Sequence, residues 1–287
     1  MFSYAERYWA EKIIRLALAE DVGRGDITTA AVVDPEAKAR GYIVFRERGV
    51  LAGLPVVAMV YERIDPRVQV LPSRRDGDLL LPGESAALLE GPAWALLTGE
   101  RVALNFLQRL SGIATATAEL VELVRPYPCQ VADTRKTAPG MRVLEKYAVR
   151  VGGGRNHRLG LDDAILIKDN HVIAAGGIAK AVAAARAKAP LTARIEVEVE
   201  SREQVEEALA AGVDIIMLDN MDVHQMARMV DLIDGRALVE ASGGITRDSI
   251  AAVAATGVDF ISVGAITHSS RALDVALDLA ISEGAAK

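Results

Sequence analysis

Nine consecutive residues, GGGRNHRLG at 152–160, set two arginines and a histidine directly behind three glycines. Across residues 133–171, eight Lys/Arg stand against five Asp/Glu, although the whole chain carries a formal net charge of −6 and only four histidines. A local excess of cations in an acidic protein suits the holding of an anion, and glycines let the backbone approach it. His157 and His171 lie fourteen positions apart with no HxxxH or CxxC partner, so their spacing gives zinc no support. Flanked by Arg155 and Arg158, His157 reads as an anion ligand.

The acidic candidates come from alternation. RIEVEVES at 194–201 puts Glu196, Glu198 and Glu200 on one face of a strand and Ile195, Val197 and Val199 on the other. If the apolar face packs on helices, the glutamates point into a sheet interior, where a carboxylate needs a cation or hydrogen bonds. Glu196 is expected to pair with interior arginines or lysines. Glu198, near the strand's end, is placed for chemistry. Asp219 ends the next strand-like run, so these two acids can flank a metal–phosphate or a pair of sugar hydroxyls. Lys168 ends DAILIK and can form a Schiff base or bind an anion as a point charge. Arg101, in TGERVALNF, reads by itself as a charge on a helix surface. No GxxxxGK[ST] occurs, and no GxGxxG follows a strand, so nucleotide binding of those types has no support.

Parallel α/β structure is what would bring these groups together. Short β-branched runs recur at 129–134, 163–168, 194–199, 214–219, 237–241 and 259–263. Helical patterns lie between most of them, at 172–189, 201–212, 221–233 and 246–256. Every run ends in a useful group: Arg135 and Lys136, Lys168, Glu198, Asp219, Ser242-Gly243-Gly244, and Gly264. In α/β barrels catalytic groups sit at the C-terminal strand ends, and phosphate is bound after the last two strands by backbone N–H groups. A barrel is therefore favoured over an open sheet.

The first part of the chain reads differently. A helix over 6–20, strand-like pieces at 41–47, 67–71 and 86–90, and a helical region over 94–124 interrupted by Gly99 and Gly112 predict a separate domain. The expected organisation is an N-terminal α/β sandwich over 1–112 and a catalytic barrel over 113–269. A C-terminal helix over 270–287 is expected to pack back on the first domain.

Bulk composition bounds the rest. With 51% hydrophobic and 25% charged residues the chain has the profile of a soluble globular protein. The acidic balance and the lack of a basic tract argue against nucleic acid as the main partner. No apolar run approaches the roughly 20 residues of a membrane span. The N-terminal stretch has charges throughout and no apolar core of a secretory signal. The single cysteine, Cys129, excludes an internal disulfide and a cysteine-based metal cluster, and the expected location is the cytoplasm.

The segments EDVGRGDITT (20–29), GERVALNFLQRLSGIAT (99–115), EVEVES (196–201), IIMLDN (215–220), EASGGI (240–245) and ISVGAITHS (261–269) have a familiar pattern. With the 39-residue block from Asp133 to His171, they resemble the quinolinate phosphoribosyltransferase family over nearly the whole chain. Ala138 departs from the family pattern, where a second threonine is more usual; Thr137 remains beside it. The resemblance implies a type II phosphoribosyltransferase-like fold: an α/β sandwich followed by an incomplete α/β barrel, assembled as a homodimer or hexamer. It implies joining of quinolinate to phosphoribosyl pyrophosphate with Mg²⁺, giving nicotinate mononucleotide, pyrophosphate and CO₂ on the de novo route to NAD.

By the same resemblance, Arg135, His157, Arg158 and Lys168 bind the quinolinate carboxylates, with Arg101 reaching in from a second subunit. Lys136 meets the pyrophosphate and the substrate. Glu198 and Asp219 hold ribose hydroxyls and Mg²⁺, partly through water and substrate. Thr134, Ser242, Gly243, Gly244, Ser262, Val263 and Gly264 complete the substrate site, the Ser242–Gly244 turn and Gly264 on the 5′-phosphate. Lys136, Lys168, Glu198 and Asp219 are the catalytic set. Other readings stay open: a relative of the same fold linked to molybdenum transport, a barrel lyase using Lys168 as a Schiff base, and a non-catalytic phosphosugar-binding protein.

Overall fold

Six of the strands are parallel neighbours in one sheet, and they are the six runs that alternate with helices in the sequence. The computed structural model describes residues 2–281. The described chain divides into two units. One comprises the chain up to Ala118, Thr137–Gly153 and the segment from Ser269 onward; the other comprises Glu119–Lys136 and Gly154–His268.

The first unit opens with α1 (Tyr4–Val22), α2 (Ile27–Val32), β1 (Lys38–Phe45), β2 (Gly49–Val50) and α3 (Leu54–Ile64). It continues with β3 (Gln69–Pro72), β4 (Leu79–Leu80), β5 (Ser85–Pro92) and the long helix α4 (Ala93–Val124), whose last residues belong to the second unit. α5 (Arg142–Val151) and β12 (Val275–Ile281) return to it from later in the chain. Its sheet is antiparallel in the order β12-β1-β5-β3, with the two-residue strands β2 and β4 paired separately. α1 starts on a capping box in which Ser3 and Glu6 satisfy each other's backbone N–H groups. Asp26, from the EDVGRGDITT segment, caps α2 through the Thr29 N–H at 2.9 Å.

Two expectations are corrected in this unit. The helix expected over 270–287 is a strand where it is described: β12 lies antiparallel to β1, with Phe45 opposite Val275 and Ala39 opposite Ile281. An otherwise open β1 edge gains a full hydrogen-bonding partner, which outweighs the helix preference of Ala and Leu. Residues 282–287 of that expectation lie outside the described residues. By its contacts the first unit runs to Ala118 and also takes in residues 137–153, where α5 buries Leu144 through Val149. Finally, α4 is continuous through both glycines. A Cβ at Gly112 would overlap the Arg271 carbonyl, so this glycine permits a close backbone approach and does not end a helix.

The second unit runs β6 (Gln130–Ala132), β7 (Ile165–Ile167), α6 (Asp169–Ala175), α7 (Ile178–Lys188), β8 (Ile195–Val199), α8 (Arg202–Ala211) and β9 (Ile215–Asp219). α9 (Val223–Ile233), β10 (Leu238–Ser242), α10 (Ile250–Ala254), β11 (Phe260–Ser262) and α11 (Ala265–His268) complete it. The helix expected over 172–189 is split into α6 and α7 at Gly176 and Gly177, both at positive φ. The strand order is β6-β11-β10-β9-β8-β7. Residue 155, beyond the outer edge of β6, makes a parallel bridge with Ala132.

The sheet is strongly curled. Neighbouring strands lie ~4.8 Å apart, so in a flat sheet side chains on the β6 edge, β10 and β8 could not meet. Here ligand atoms of His157, Glu196 and Glu240, from those three places, all lie within 4.8 Å of one another. This is an incomplete barrel, open between β6 and β7. Val197, Val199, Ile216, Leu218, Val239 and Ala241 are buried, as alternation requires.

Candidate active site

Because the six strands are parallel, their C-terminal ends share one rim, and the sequence-expected groups of the second unit collect there. At the end of β6, the buried carboxylate of Asp133 accepts the His157 backbone N–H at 2.8 Å and the Asn156 amide at 2.6 Å. The Arg155 N–H donates to the Val131 carbonyl at 2.8 Å, and the Asp133 N–H to the Arg155 carbonyl at 3.1 Å. The chain following the glycine run is thus pinned to the free edge of β6.

Arg158 is half-buried, and its Nη1 donates to the Ala164 carbonyl at 3.1 Å. Burial and the charge of Arg135 lower its pKa. Two guanidiniums placed to repel each other in partial burial form a site that an anion relieves.

Lys168, after β7, forms an ion pair with Glu198 of β8. His171 is the N-terminal cap partner of α6: its Nδ1 accepts the Lys168 N–H at 2.9 Å. Asp219 ends β9 and accepts the Asn220 amide at 2.6 Å. Asn220 itself has φ +53°, and its N–H donates to the Ser242 carbonyl at 3.1 Å, tying β9 to the end of β10. Gly243 and Gly244 follow at φ +91° and +60°. A Cβ at Gly243 would overlap the Asn220 side chain. Glycines at this turn let a ligand approach its backbone N–H groups closely.

Lys136 is held over the end of β11. The Thr267 hydroxyl donates to its carbonyl at 2.7 Å, and its own N–H donates to the Thr134 hydroxyl at 3.0 Å. A Cβ at Gly264 would lie 3.0 Å from Lys136 Cδ and 3.3 Å from the His268 ring, so the lysine stem crosses this glycine. Ser262 and Val263 are buried, and the Val263 N–H reaches the Ala132 carbonyl at 2.9 Å. Arg101 is exposed on α4 and belongs to the first unit.

Glu196 is paired, but not with the arginine or lysine expected. His157 Nε2 lies 3.2 Å from Glu196 Oε2 and 3.4 Å from Glu240 Oε2. Burial disfavours a charged ring, while the hydrogen bonds and charges of Glu196 and Glu240 pull its pKa upward. Burial raises Glu196. Glu200, read as inward-facing, is exposed just past the strand.

Sequence reasoning missed Asp133, Glu240 and His268. Glu240 was visible in principle: it precedes Ser242 by two residues, as Glu196 precedes Glu198, and period two puts each pair on one face.

Comparison with known proteins decides the family. The family model described as quinolinate phosphoribosyl transferase, C-terminal domain, matches residues 113–278, and the corresponding N-terminal domain matches 26–111. The chain belongs to the quinolinate phosphoribosyltransferase family. A relative from Bacillus subtilis, called a probable nicotinate-nucleotide pyrophosphorylase (carboxylating), is 46% identical over 95% of this chain and 94% of its own length. The nicotinate-nucleotide pyrophosphorylase (carboxylating) of Mycobacterium leprae is 46% identical over 97% of this chain and all of its own. The crystal structure of NadC from Streptococcus pyogenes superposes with a TM-score of 0.93 at 46% identity, covering 96% of this chain and 98% of that one. Both quinolinate phosphoribosyltransferase domains are therefore present, and the α/β fold of the family is the fold of this chain. Among the described residues no helix is long and apolar enough to cross a membrane.

Proposed function

We propose that this chain transfers the phosphoribosyl group of phosphoribosyl pyrophosphate to quinolinate with loss of CO₂, forming nicotinate mononucleotide and pyrophosphate for NAD biosynthesis. It is a decarboxylating pentosyltransferase. The observation that carries this reading is the company kept on one rim: two guanidiniums and an ammonium for a dianion, beside a glycine turn for a phosphate.

Arg135, Arg158 and Lys168 bind the two carboxylates of quinolinate and aim its ring nitrogen at C1 of the ribose. The Ser242–Gly244 turn, with Ser262, Val263 and Gly264 at the end of β11, holds the 5′-phosphate through backbone donors. Thr134 and Lys136 face the pyrophosphate. As the bond from C1 to the pyrophosphate oxygen breaks, its electrons leave with pyrophosphate and positive charge builds on the ribose. Glu198 and Asp219 stabilise that charge electrostatically and hold the ribose hydroxyls. The nitrogen lone pair then forms the new bond to C1. The resulting pyridinium accepts the electron pair released when the adjacent carboxylate leaves as CO₂, and the ring carbon takes up a proton.

Glu198 and Asp219 also fit Mg²⁺. Each has one oxygen engaged, by Lys168 and by the Asn220 amide, which leaves each a second hard oxygen at the rim. One or two carboxylates with water and substrate phosphates is the usual magnesium environment. When bound, the cation supplies positive charge for the departing pyrophosphate.

The proposed assembly is a homodimer or hexamer in which Arg101, exposed on α4, serves the site of a second copy. With its single cysteine, the chain is read as a cytoplasmic enzyme.

Incubation with quinolinate, phosphoribosyl pyrophosphate and Mg²⁺ tests the reading, with nicotinate replacing quinolinate as control. Mononucleotide from quinolinate alone is the expected result. Bound ligands without product would contradict it.

A further inference from the structure

His157 stands at the centre of a buried polar cluster of the second unit, and both its ring nitrogens face partners inside the protein. Its backbone N–H is held by Asp133 at 2.8 Å. Its Nδ1 accepts the backbone N–H of Arg158 at 2.7 Å. Its Nε2 faces the carboxylates of Glu196 and Glu240 at 3.2 and 3.4 Å. A ring nitrogen that accepts an N–H carries no proton of its own, so this contact assigns the ring proton to Nε2. A ring charged under the pull of the two carboxylates would carry protons on both nitrogens and could not accept the Arg158 N–H, so the 2.7 Å contact marks the neutral ring, with Nε2–H pointing at the glutamates. For the same reason it is no free metal ligand, although the three side chains are close enough together to chelate one.

The glutamates are the unusual part. Their side chains are 5% and 4% exposed, and one oxygen of each makes no hydrogen bond among the described residues. Two carboxylates buried side by side are costly, and apolar residues of the same size would stabilise the sheet better. They converge from β8 and β10 on one imidazole, and that imidazole holds the backbone of Arg158.

We infer that Glu196 and Glu240 are positioning residues for quinolinate: they lock the His157 ring, which in turn fixes Arg158, so that His157 acts through Arg158 and not as a substrate ligand. This inference rests on the proposed function. It replaces the role that the family resemblance implies for His157 and adds two residues to the site. Loss of Glu240 frees the ring to turn, and the Arg158 backbone N–H loses its acceptor, so the backbone that carries the guanidinium is no longer fixed and the side chain is left with its bond to the Ala164 carbonyl.

Steady-state kinetics of full-length variants test this. Glu240→Ala is expected to raise the quinolinate KM by ~10-fold or more, the scale of a lost charge-assisted hydrogen bond, with the phosphoribosyl pyrophosphate KM unmoved. Glu240→Gln, which keeps an oxygen acceptor for Nε2–H, restores most of the loss. In a double-mutant cycle, His157→Ala combined with Arg158→Ala binds quinolinate no more weakly than Arg158→Ala alone. Full additivity of the two would make His157 an independent ligand and overturn the inference, as would an unchanged quinolinate KM in Glu240→Ala. If Glu240→Ala does not fold, the cycle decides. Wild-type protein that forms no mononucleotide from quinolinate refutes the proposed function itself; wild-type turnover with an additive cycle refutes only this inference.

Discussion

The ammonium of Lys168 and the carboxylate of Glu198 are joined across adjacent strands, with the lysine side chain 45% exposed and the glutamate 11%. Lysine at this rim is therefore not a bare cation waiting for an anion. It is shared between a fixed carboxylate and whatever dianion arrives. In the proposed reaction the same carboxylate stabilises positive charge on the ribose. One pair thus joins the two halves of the proposed reaction.

Glu198→Gln separates these halves. Removing its charge releases Lys168 for the substrate, so quinolinate affinity should hold or tighten in calorimetry. Turnover should fall by ~100-fold, the scale of losing one transition-state electrostatic partner. An equal loss in both quantities would show that Glu198 serves binding alone.

Sharing of sites between subunits is tested by mixing. Arg101→Ala and Lys168→Ala chains should each be nearly inactive. Their mixture should recover activity, because some sites then hold both intact residues. Confirmed mixed oligomers with no recovery would count against sharing of sites between subunits.

Gly243 should be intolerant of a side chain. Its φ of +91° is strained for alanine, and the added Cβ would overlap Asn220, which holds Asp219. Gly243→Ala is expected to raise the phosphoribosyl pyrophosphate KM by ~10-fold or more while the quinolinate KM moves less. Equal effects on the two substrates would argue against a phosphate site at this turn.

The acid limb of stability should depend on Glu6. Burial alone raises its pKa, but the Ser3 N–H at 2.6 Å, the Arg150 guanidinium and the Ser3 hydroxyl bring it below the ordinary value. A group depressed in the folded state contributes stability above its unfolded pKa and loses it as pH falls through the folded value. Glu6→Gln should therefore lower Tm at about pH 7, and the difference from wild type should shrink as pH falls below the ordinary glutamate range and through the depressed folded value. A Tm difference that does not shrink with pH would contradict the assignment.

The barrel was legible in the sequence because its signals are local. Each β-branched run is short, each is followed by a helix pattern, and parallel order sends every strand end to one rim. Asp219, Ser242 and Lys168 could be named from that logic alone. What escaped depends on partners distant in the chain. VALDLAI at 275–281 reads as a helix until β1 offers an edge, and RVLEKYAVRV at 142–151 reads as part of a cationic block until α5 buries its central residues 144–149. Glu196 was expected to find an arginine or lysine, since nothing in the sequence brings His157 across the barrel. Ala138, the departure from the family pattern, donates its N–H to Glu145 at 3.2 Å, a bond any residue but proline can make.

The most direct test of the account follows the carboxylate that leaves. Quinolinate labelled at the carboxyl next to the ring nitrogen is supplied with phosphoribosyl pyrophosphate and Mg²⁺, and released CO₂ is counted against pyrophosphate. One labelled CO₂ for each pyrophosphate is the predicted result. Pyrophosphate formed without labelled CO₂, or neither product formed, would contradict a decarboxylating phosphoribosyl transfer.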